Sequence, residues 1–243
     1  MTDPAPTSGA AAWRRLGRVT GITGLVAIVQ IFAAVVGARE EPSFTATATE
    51  FVVYYRSPDT VATPFRSFLF TLGLVTFVWF VVGLSVLLRR AEGEAAWRSA
   101  IALGSGVLFV ALGLSGLGNE AAVALRAGDL DPQIARYAFD QGQAAFANGR
   151  IALGSFAVCC GWVIASTRFL PRWVGWLAIA SGAGLALSRI SWTSPIWLAP
   201  NLMFWLRVIT LAVLLLHSSF RGVARSGCTL CSYGSCLCRC RCG

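Results

Sequence analysis

Three arginines lie within or beside apolar stretches that are long enough to enter a membrane: Arg150, Arg189 and Arg207. A guanidinium group is planar and binds a carboxylate or a phosphate through two parallel hydrogen bonds. Ionisable side chains at membrane depth usually face the interior of a helical bundle or a watery cavity, where they mark ligand or ion pathways. These residues therefore predict an outward-open polar vestibule that holds a small anionic or zwitterionic ligand.

Other polar side chains are predicted to line the same vestibule. Asp140, Gln143, Ala147 and Arg150 are spaced by three, four and three residues, so they share one face of an α-helix. Glu120 stands at the end of another apolar stretch, at the same predicted level. The candidate ligand-binding residues are thus Arg207 as the main anchor, Arg189 and Arg150 as helpers, Glu120 and Asp140 as orienting carboxylates, and Gln143 and Trp205.

Structural roles are the alternative for these side chains. Arg150 and Arg189 are near enough to the membrane surface for their stems to lie in lipid while their charged ends reach water. Arg207 is harder to place at the surface, and a structural ion pair with Glu120 would satisfy it. Tryptophans near both ends of the last two spans, such as Trp173 and Trp205, are typical of interfacial anchoring belts.

The composition excludes an ordinary soluble domain. Of the 243 residues 56% are hydrophobic and 13% are charged, whereas soluble domains carry about 25% charged residues. A membrane span needs about 20 apolar residues, so this length accommodates six spans. All 20 basic residues are Arg, and their placement along a membrane chain, rather than a nucleic-acid partner, is the expected reason for the net charge of +9.

Uncharged stretches between charged residues predict six transmembrane helices. The last helix needs about 20 residues before Phe220, so it starts near Asn201 and encloses Arg207 about 9 Å below its start. The fourth helix is predicted to begin near Ala144, upstream of its uncharged stretch. The predicted uncharged stretches are Val19 to Ala38, Ser67 to Leu88, Ser99 to Asn119, Ile151 to Thr167, and Trp173 to Ser188, the last extended through Arg189 to about Trp192.

The arginine distribution predicts that both termini face the cytoplasm. With that orientation 12 arginines fall in cytoplasmic segments, 6 in outer segments, and the remaining 2 of 20 are Arg189 and Arg207. Cytoplasmic loops accumulate Arg and Lys. We therefore expect an all-α, multi-pass protein of the plasma membrane, with its amino and carboxyl termini inside.

Two outer loops carry structural signals. The first contains "TATATEFVVYYR", which is rich enough in β-branched and aromatic residues for a short strand or an interfacial segment. In the second, Asp131 followed by Pro132 is typical of a helix start. A helical outer segment is expected near Pro132 to Asn148, running on into the fourth span.

The predicted transmembrane domain covers residues 16–220, between two cytoplasmic tails. Residues 1–15 have too little apolar bulk to fold and are predicted to be disordered. Residues 221–243 form a cysteine-rich tail, in which Cys228 and Cys231 are weak candidates for metal binding and a poorly ordered extension is the favoured alternative. No metal or other cofactor is predicted. His217 and the pair Cys159 and Cys160 lack partners for catalysis, so the chain is not predicted to be an enzyme.

The segment "FLPRWVGWLAIASGAG", Phe169 to Gly184, resembles the short inner loop and following helix of a six-helix family of actinobacterial and other bacterial integral membrane proteins of unknown function. The resemblance would cover roughly Arg18 to His217. It implies a six-helix membrane architecture and no particular activity or functional residue. The cysteine-rich tail departs from the family pattern.

Two functional hypotheses follow. In the first, the bundle binds or transports a small anionic or amphiphilic molecule through the outer vestibule. In the second, it is a structural or regulatory membrane component without ligand or catalysis, which acts through helix–helix partners. The expected surroundings of the chain are the lipid bilayer. Small residues allow close helix packing there, as at Gly17, Gly21, Ala178 and Gly182. That packing can occur within one chain, in a homo-oligomer, or with another membrane protein.

Overall fold

The protein is described by a computed structural model that covers residues 8–191 and 193–217. The described part is helical throughout, with seven α-helices, two short 3-10 helices and no strand. The α-helices are α1 (Ser8–Val35), α2 (Ala48–Arg56), α3 (Pro64–Glu92), α4 (Trp97–Ala124), α5 (Pro132–Thr167), α6 (Arg172–Leu187) and α7 (Leu198–His217).

Five of the helical segments are long and apolar enough to cross a membrane: Ala11–Val35, Pro64–Glu92, Trp97–Ala124, Pro132–Thr167 and Pro195–His217. Their outward faces carry large apolar side chains, among them Trp79, which is 68% exposed. Exposed apolar side chains along every long helix are expected where the surrounding medium is lipid. The predicted all-α membrane class is confirmed at this level.

The long helices pack as a closed ring in which α1 contacts α3, α3 contacts α4, α4 contacts α5, α5 contacts α6, α6 contacts α7, and α7 returns to α1. Phe77 of α3 is fully buried within the bundle. Its side chain contacts four other aromatic side chains, those of Phe80, Phe109, Phe156 and Trp205. We call the end of the bundle that carries α2 the α2 end. The end that carries the α3–α4 and α5–α6 turns is called the Arg168 end.

Helix α6 is shorter than the sequence predicted. It ends at Leu187 after 16 residues, about 24 Å at 1.5 Å per residue, so the prediction that it continues through Arg189 to about Trp192 is wrong. The chain tightens after Leu187 because the amides of Arg189 and Ile190 donate to carbonyls three residues back, those of Ala186 and Leu187, at 3.3 and 3.0 Å. Trp192 itself lies outside the described residues.

Glycines set the close packing of α6 against α5. A Cβ atom added at Gly154 would lie 2.6 Å from the carbonyl oxygen of Gly182, and one added at Gly161 would lie 2.6 Å from that of Gly175. Since Gly154 opposes Gly182 while Gly161 opposes Gly175, the two helices run antiparallel. Close approach through small residues compensates for the weak hydrophobic driving force between helices in lipid.

The first loop forms a helix, α2, and the alternative of a strand is wrong. Phe51, Tyr54 and Tyr55 are buried and follow the i, i+3, i+4 spacing of one helical face. The Phe51 ring packs 4.9 Å from that of Phe139 on α5, centroid to centroid. Burial of this face against α5 outweighs the β-propensity of the segment.

The predicted start of the α5 helix is confirmed. Asp131 is the N-cap, and its carboxylate accepts hydrogen bonds from the amides of Gln133 and Ile134 at 2.7 and 3.3 Å. From Pro132 the helix continues without a break to Thr167. At the other end of the chain, α1 already begins at Ser8, inside the segment predicted to be a disordered tail.

Candidate functional site

Arg207 lies in the middle of helix α7 and is completely buried, with 0% of its surface exposed. The prediction that the helix encloses it is confirmed. Because α7 begins at Leu198, the residue is about 14 Å along the helix axis, deeper than the sequence indicated. No part of its side chain is exposed, so the guanidinium does not reach the surface of the bundle.

The guanidinium of Arg207 has one hydrogen-bond partner among the described residues. Its Nη1 donates to the carbonyl oxygen of Ala157 at 3.3 Å. The rings of Phe204 and Phe156 lie 5.0 and 5.7 Å from the guanidinium carbon, at cation–π distance. Its Nε and Nη2 have no partner in the described structure.

These two nitrogens lie on the same edge of the planar group. A guanidinium uses this edge, formed by Nε–H and one Nη–H, to bind a carboxylate or another anion with two parallel hydrogen bonds. Among the described residues, the titratable group that interacts electrostatically with Arg207 is the Cys160 thiol. The free edge is therefore a double donor in an apolar setting.

The structural ion pair between Arg207 and Glu120 is not formed. Among the described residues the one side-chain ion pair joins Arg98 to Glu92, at 2.8 Å. Glu120 is buried on α4, and its carboxyl group packs against Gly142 of α5, where any Cβ would collide with it. The sequence could not show whether Glu120 lies at the level of Arg207, because the axial offset between α4 and α7 depends on how the helices pack.

A second polar group lies at the α2 end, and we call it the α2-end cluster. Gln143 donates to the Glu41 carboxylate at 2.6 Å, and Arg150 interacts electrostatically with the same carboxylate. The cluster consists of Glu41, Tyr54, Tyr55, Glu120, Asp140, Gln143 and Arg150. Four of the predicted vestibule residues thus come together here.

Arg150 is the cation of the α2-end cluster. It is buried, and its guanidinium carbon stands 4.2 Å from the centre of the Trp197 ring. Its Nη1 has no hydrogen-bond partner among the described residues. Arg189 lies close enough to repel it electrostatically, in the turn after α6, where the Arg189 Nε donates to Asn148 at 3.0 Å.

Two tyrosines of the cluster were missed in the sequence. Tyr54 and Tyr55 are 2% and 3% exposed, and neither hydroxyl has a partner in the described structure. Burial raises the pKa of both phenols well above its usual value, and the nearby carboxylates of Glu41 and Glu120 raise it further. The helical spacing of Phe51, Tyr54 and Tyr55 was the available signal for a buried face.

The structure separates the seven candidate residues into two groups. Trp205 joins Arg207 in the core, where its ring packs against Phe32, Phe77 and Phe204. Ala157, the partner of Arg207, lies seven residues beyond Arg150 on α5, about 10 Å along the helix. The α2-end cluster is therefore shallower, and Arg207 lies below it.

The described residues contain no group of three or more His, Cys, Asp and Glu side chains that could hold a metal ion. Cys228 and Cys231 lie outside the described residues. His217 is exposed at the end of α7, with its Nδ1 2.9 Å from the carbonyl oxygen of Val213. Cys160 is buried in the core, and Cys159 is partly buried.

The five long apolar helices indicate a multi-pass helical membrane protein. Comparisons with protein-family models, with curated protein sequences and with solved structures find no match. What the bundle binds is therefore inferred from its own residues.

Proposed function

We propose that the protein is a plasma-membrane protein that binds or transports a small anionic or amphiphilic molecule, with Arg207 as its anchor. The observation that supports this is the free Nε and Nη2 edge of a fully buried guanidinium. Removal of a charge from water costs several kcal/mol even after the protein relaxes. One carbonyl hydrogen bond and two ring contacts offset only part of that cost, whereas a bound anion would supply the missing acceptors.

The α2-end cluster provides the access route in this proposal. Arg150 has a buried Nη1 that is free to donate, and it lies about two turns above Ala157 on the same helix. An anion would first meet Arg150 and Arg189, with Gln143 and the carboxylates of Glu41 and Glu120 setting the orientation of the polar groups. It would then pass to Arg207.

The proposed topology has six crossings, with the short helix α6 as the fifth, and the α2 end outside. The arginine excess that supports this orientation depends on the tail. Among the described residues the Arg168 end carries eight arginines and the α2 end seven. The rest of the predicted cytoplasmic excess comes from four arginines outside the described residues: Arg221, Arg225, Arg239 and Arg241. The resemblance of Phe169 to Gly184 to six-helix bacterial membrane proteins implies the same number of crossings and no particular orientation.

The structural or regulatory role is kept as the second candidate because Arg207 has a specific internal setting. Its contacts with Phe156 and with the Ala157 carbonyl join α7 to α5. In that role the guanidinium fixes helix packing, and no ligand is needed.

The two candidates differ in how anions affect stability. We expect chloride, acetate or phosphate, compared with a bulky anion such as gluconate at equal ionic strength, to raise the melting temperature of the purified protein in neutral detergent. Arg207→Met should remove this response and still fold, because replacement of a buried charge by an apolar side chain of similar size is often neutral or stabilising. Melting curves across an anion series measure it.

The matched control is Arg126→Gln, which removes an exposed arginine at the α2 end and should leave the anion response unchanged. A wild-type protein whose melting temperature is the same in every anion would favour the structural role. An equal response in Arg207→Met would place the anion effect elsewhere.

A further inference from the structure

An open groove lies at the Arg168 end, between the α5–α6 turn and the end of α7. Its volume is about 600 Å³. Arg168, Arg172 and His217 give it a polar rim, and Phe169, Leu170 and Leu214 give it an apolar wall. This groove is far from the α2-end cluster, since it lies where α5 ends and α2 packs where α5 begins.

The backbone holds Arg168 in an unusual conformation at the mouth of the groove. Its φ is 54°, in the left-handed region that residues other than glycine rarely adopt. The residue ends α5 by donating its amide to the carbonyl oxygen of Ile164 at 3.1 Å. Four residues later Arg172 begins α6, so a tight turn presents two guanidinium groups to one groove.

No described carboxylate neutralises these two arginines. The described acidic residues at this end are Glu92 and Glu94, and Glu92 is already bonded to Arg98 and Ser99. Arg168 and Arg172 are exposed and form no ion pair in the described structure. The positive charge of the groove is therefore not compensated by a described carboxylate, and it would attract an anion from outside the bundle.

The groove lies at the ends of two candidate membrane spans, and this position favours an anion that is part of a lipid. Arg168 directly follows one candidate span, Pro132–Thr167, and His217 is the last residue of another, Pro195–His217. Trp162 and Trp173 are about half exposed near the same level, which is where tryptophans anchor a chain at the membrane interface. A molecule at this depth meets guanidinium groups above and leucine side chains below.

We propose that this groove binds the phosphate headgroup of an anionic phospholipid from the surrounding leaflet. Arg168 and Arg172 would donate to the phosphate oxygens, as arginines do at phosphate sites. Leu170 and Leu214 would contact the glycerol and the upper part of the acyl chains. Arginine-lined pockets between membrane helices are a recognised form of lipid-headgroup site, and this one does not depend on the ligand proposed for Arg207.

Native mass spectrometry of the full chain in neutral detergent tests the proposal. Added phosphatidylglycerol should bind in preference to phosphatidylcholine of the same chain length. The variant Arg168→Asn with Arg172→Gln should lower the apparent affinity for phosphatidylglycerol on the order of tenfold or more, because each arginine near an anionic lipid contributes a factor of roughly five. Asparagine is chosen at 168 because it tolerates the left-handed conformation.

The matched control is Arg89→Gln with Arg90→Gln, which removes two arginines from the last turn of α3 at the same end. It should keep the preference for phosphatidylglycerol. Equal losses in the two double variants would mean diffuse attraction to the whole end and would overturn the groove. Arg172→Gln alone, at the first residue of α6, tests the groove if the double variant does not fold, and it should lose part of the affinity.

A further arm separates the lipid from free phosphate. Inorganic phosphate alone should not displace bound phosphatidylglycerol, because it lacks the apolar part that contacts Leu170 and Leu214. Displacement by inorganic phosphate at comparable affinity would show that the groove binds a soluble ion and would overturn the lipid assignment.

Discussion

The side chain of Arg207 combines a permanent positive charge with complete burial. Removal of one partner from a buried ion pair costs about 3–5 kcal/mol because it leaves an uncompensated charge. Arg207 has no carboxylate partner among the described residues, yet it is one of the largest fully buried side chains. A buried arginine of this kind has a role either in helix packing or in ligand binding. The free Nε and Nη2 edge of Arg207 favours ligand binding.

The sequence located Arg207 but not its surroundings. Its enclosure in a helix followed from the length that a span requires. Its contacts with Ala157 and Phe156 join residues about 50 positions apart, and no periodicity within α7 encodes them. Similarly, the Gln143–Glu41 hydrogen bond spans 102 positions, so Glu41 could not be foreseen from the helical face that identified Gln143.

The two buried tyrosines predict a loss of stability in alkaline solution. Their pKa values are raised in the folded protein, whereas unfolded tyrosine titrates near pH 10. Below about pH 10 both states keep the phenol protons, so these groups cause no pH dependence. Above that pH the unfolded state loses its protons first, and the free energy of unfolding should fall as the pH rises.

Unfolding followed by melting temperature across this alkaline range measures the effect. Tyr54→Phe with Tyr55→Phe should reduce the fall, and it should cost little at neutral pH because neither hydroxyl has a partner in the described structure. Tyr137→Phe, at a residue that is 67% exposed, is the control. A fall that is the same in all three proteins would contradict the burial of the phenols.

At the scale of the elements, local signals predicted what local forces determine. Asp131 fixes the start of α5 by accepting hydrogen bonds from amides within one turn, and the sequence showed it. The end of α6 was missed because the prediction assumed that every helix spans the full membrane thickness. The sequence did not decide the structure of the α2 segment, because its β-branched and aromatic residues fit a strand as well as an interfacial segment. The helix is selected by packing against α5.

The close α5–α6 contact is tested by adding a methyl group at its glycines. Gly154→Ala or Gly161→Ala should lower the stability by about 1–3 kcal/mol, the usual cost of adding a methyl group to a closely packed contact. The obstacle in both cases is a backbone carbonyl oxygen, so the helices must separate and no side chain can move aside. Melting temperature in detergent measures the loss.

Gly104→Ala provides the matched control on α4, where an added Cβ meets nothing within 4 Å. It should be neutral or stabilising by up to about 1 kcal/mol, since alanine favours the helix over glycine. Equal destabilisation at positions 104 and 154 would indicate that the close α5–α6 approach does not hold in the protein.

The whole molecule is a ring of helices with a different polar feature at each level. The α2-end cluster mixes carboxylates, phenols and one arginine, the core holds Arg207 between aromatic rings, and the Arg168 end carries exposed arginines. Composition and span length were sufficient to predict a helical membrane protein. The order of helices around the ring, which decides which polar residues meet, depends on packing between distant segments and was not accessible from one sequence.

The central claim, that the free edge of Arg207 binds an anion, is tested most directly by locating an anion in the protein. Crystals of the full chain grown with bromide in place of chloride would show it by anomalous scattering. The account predicts a bromide peak within hydrogen-bonding distance of both Nε and Nη2 of Arg207, and its loss in Arg207→Met. A well-ordered Arg207 with no bromide at this edge, and with both nitrogens bonded to protein atoms instead, would contradict it.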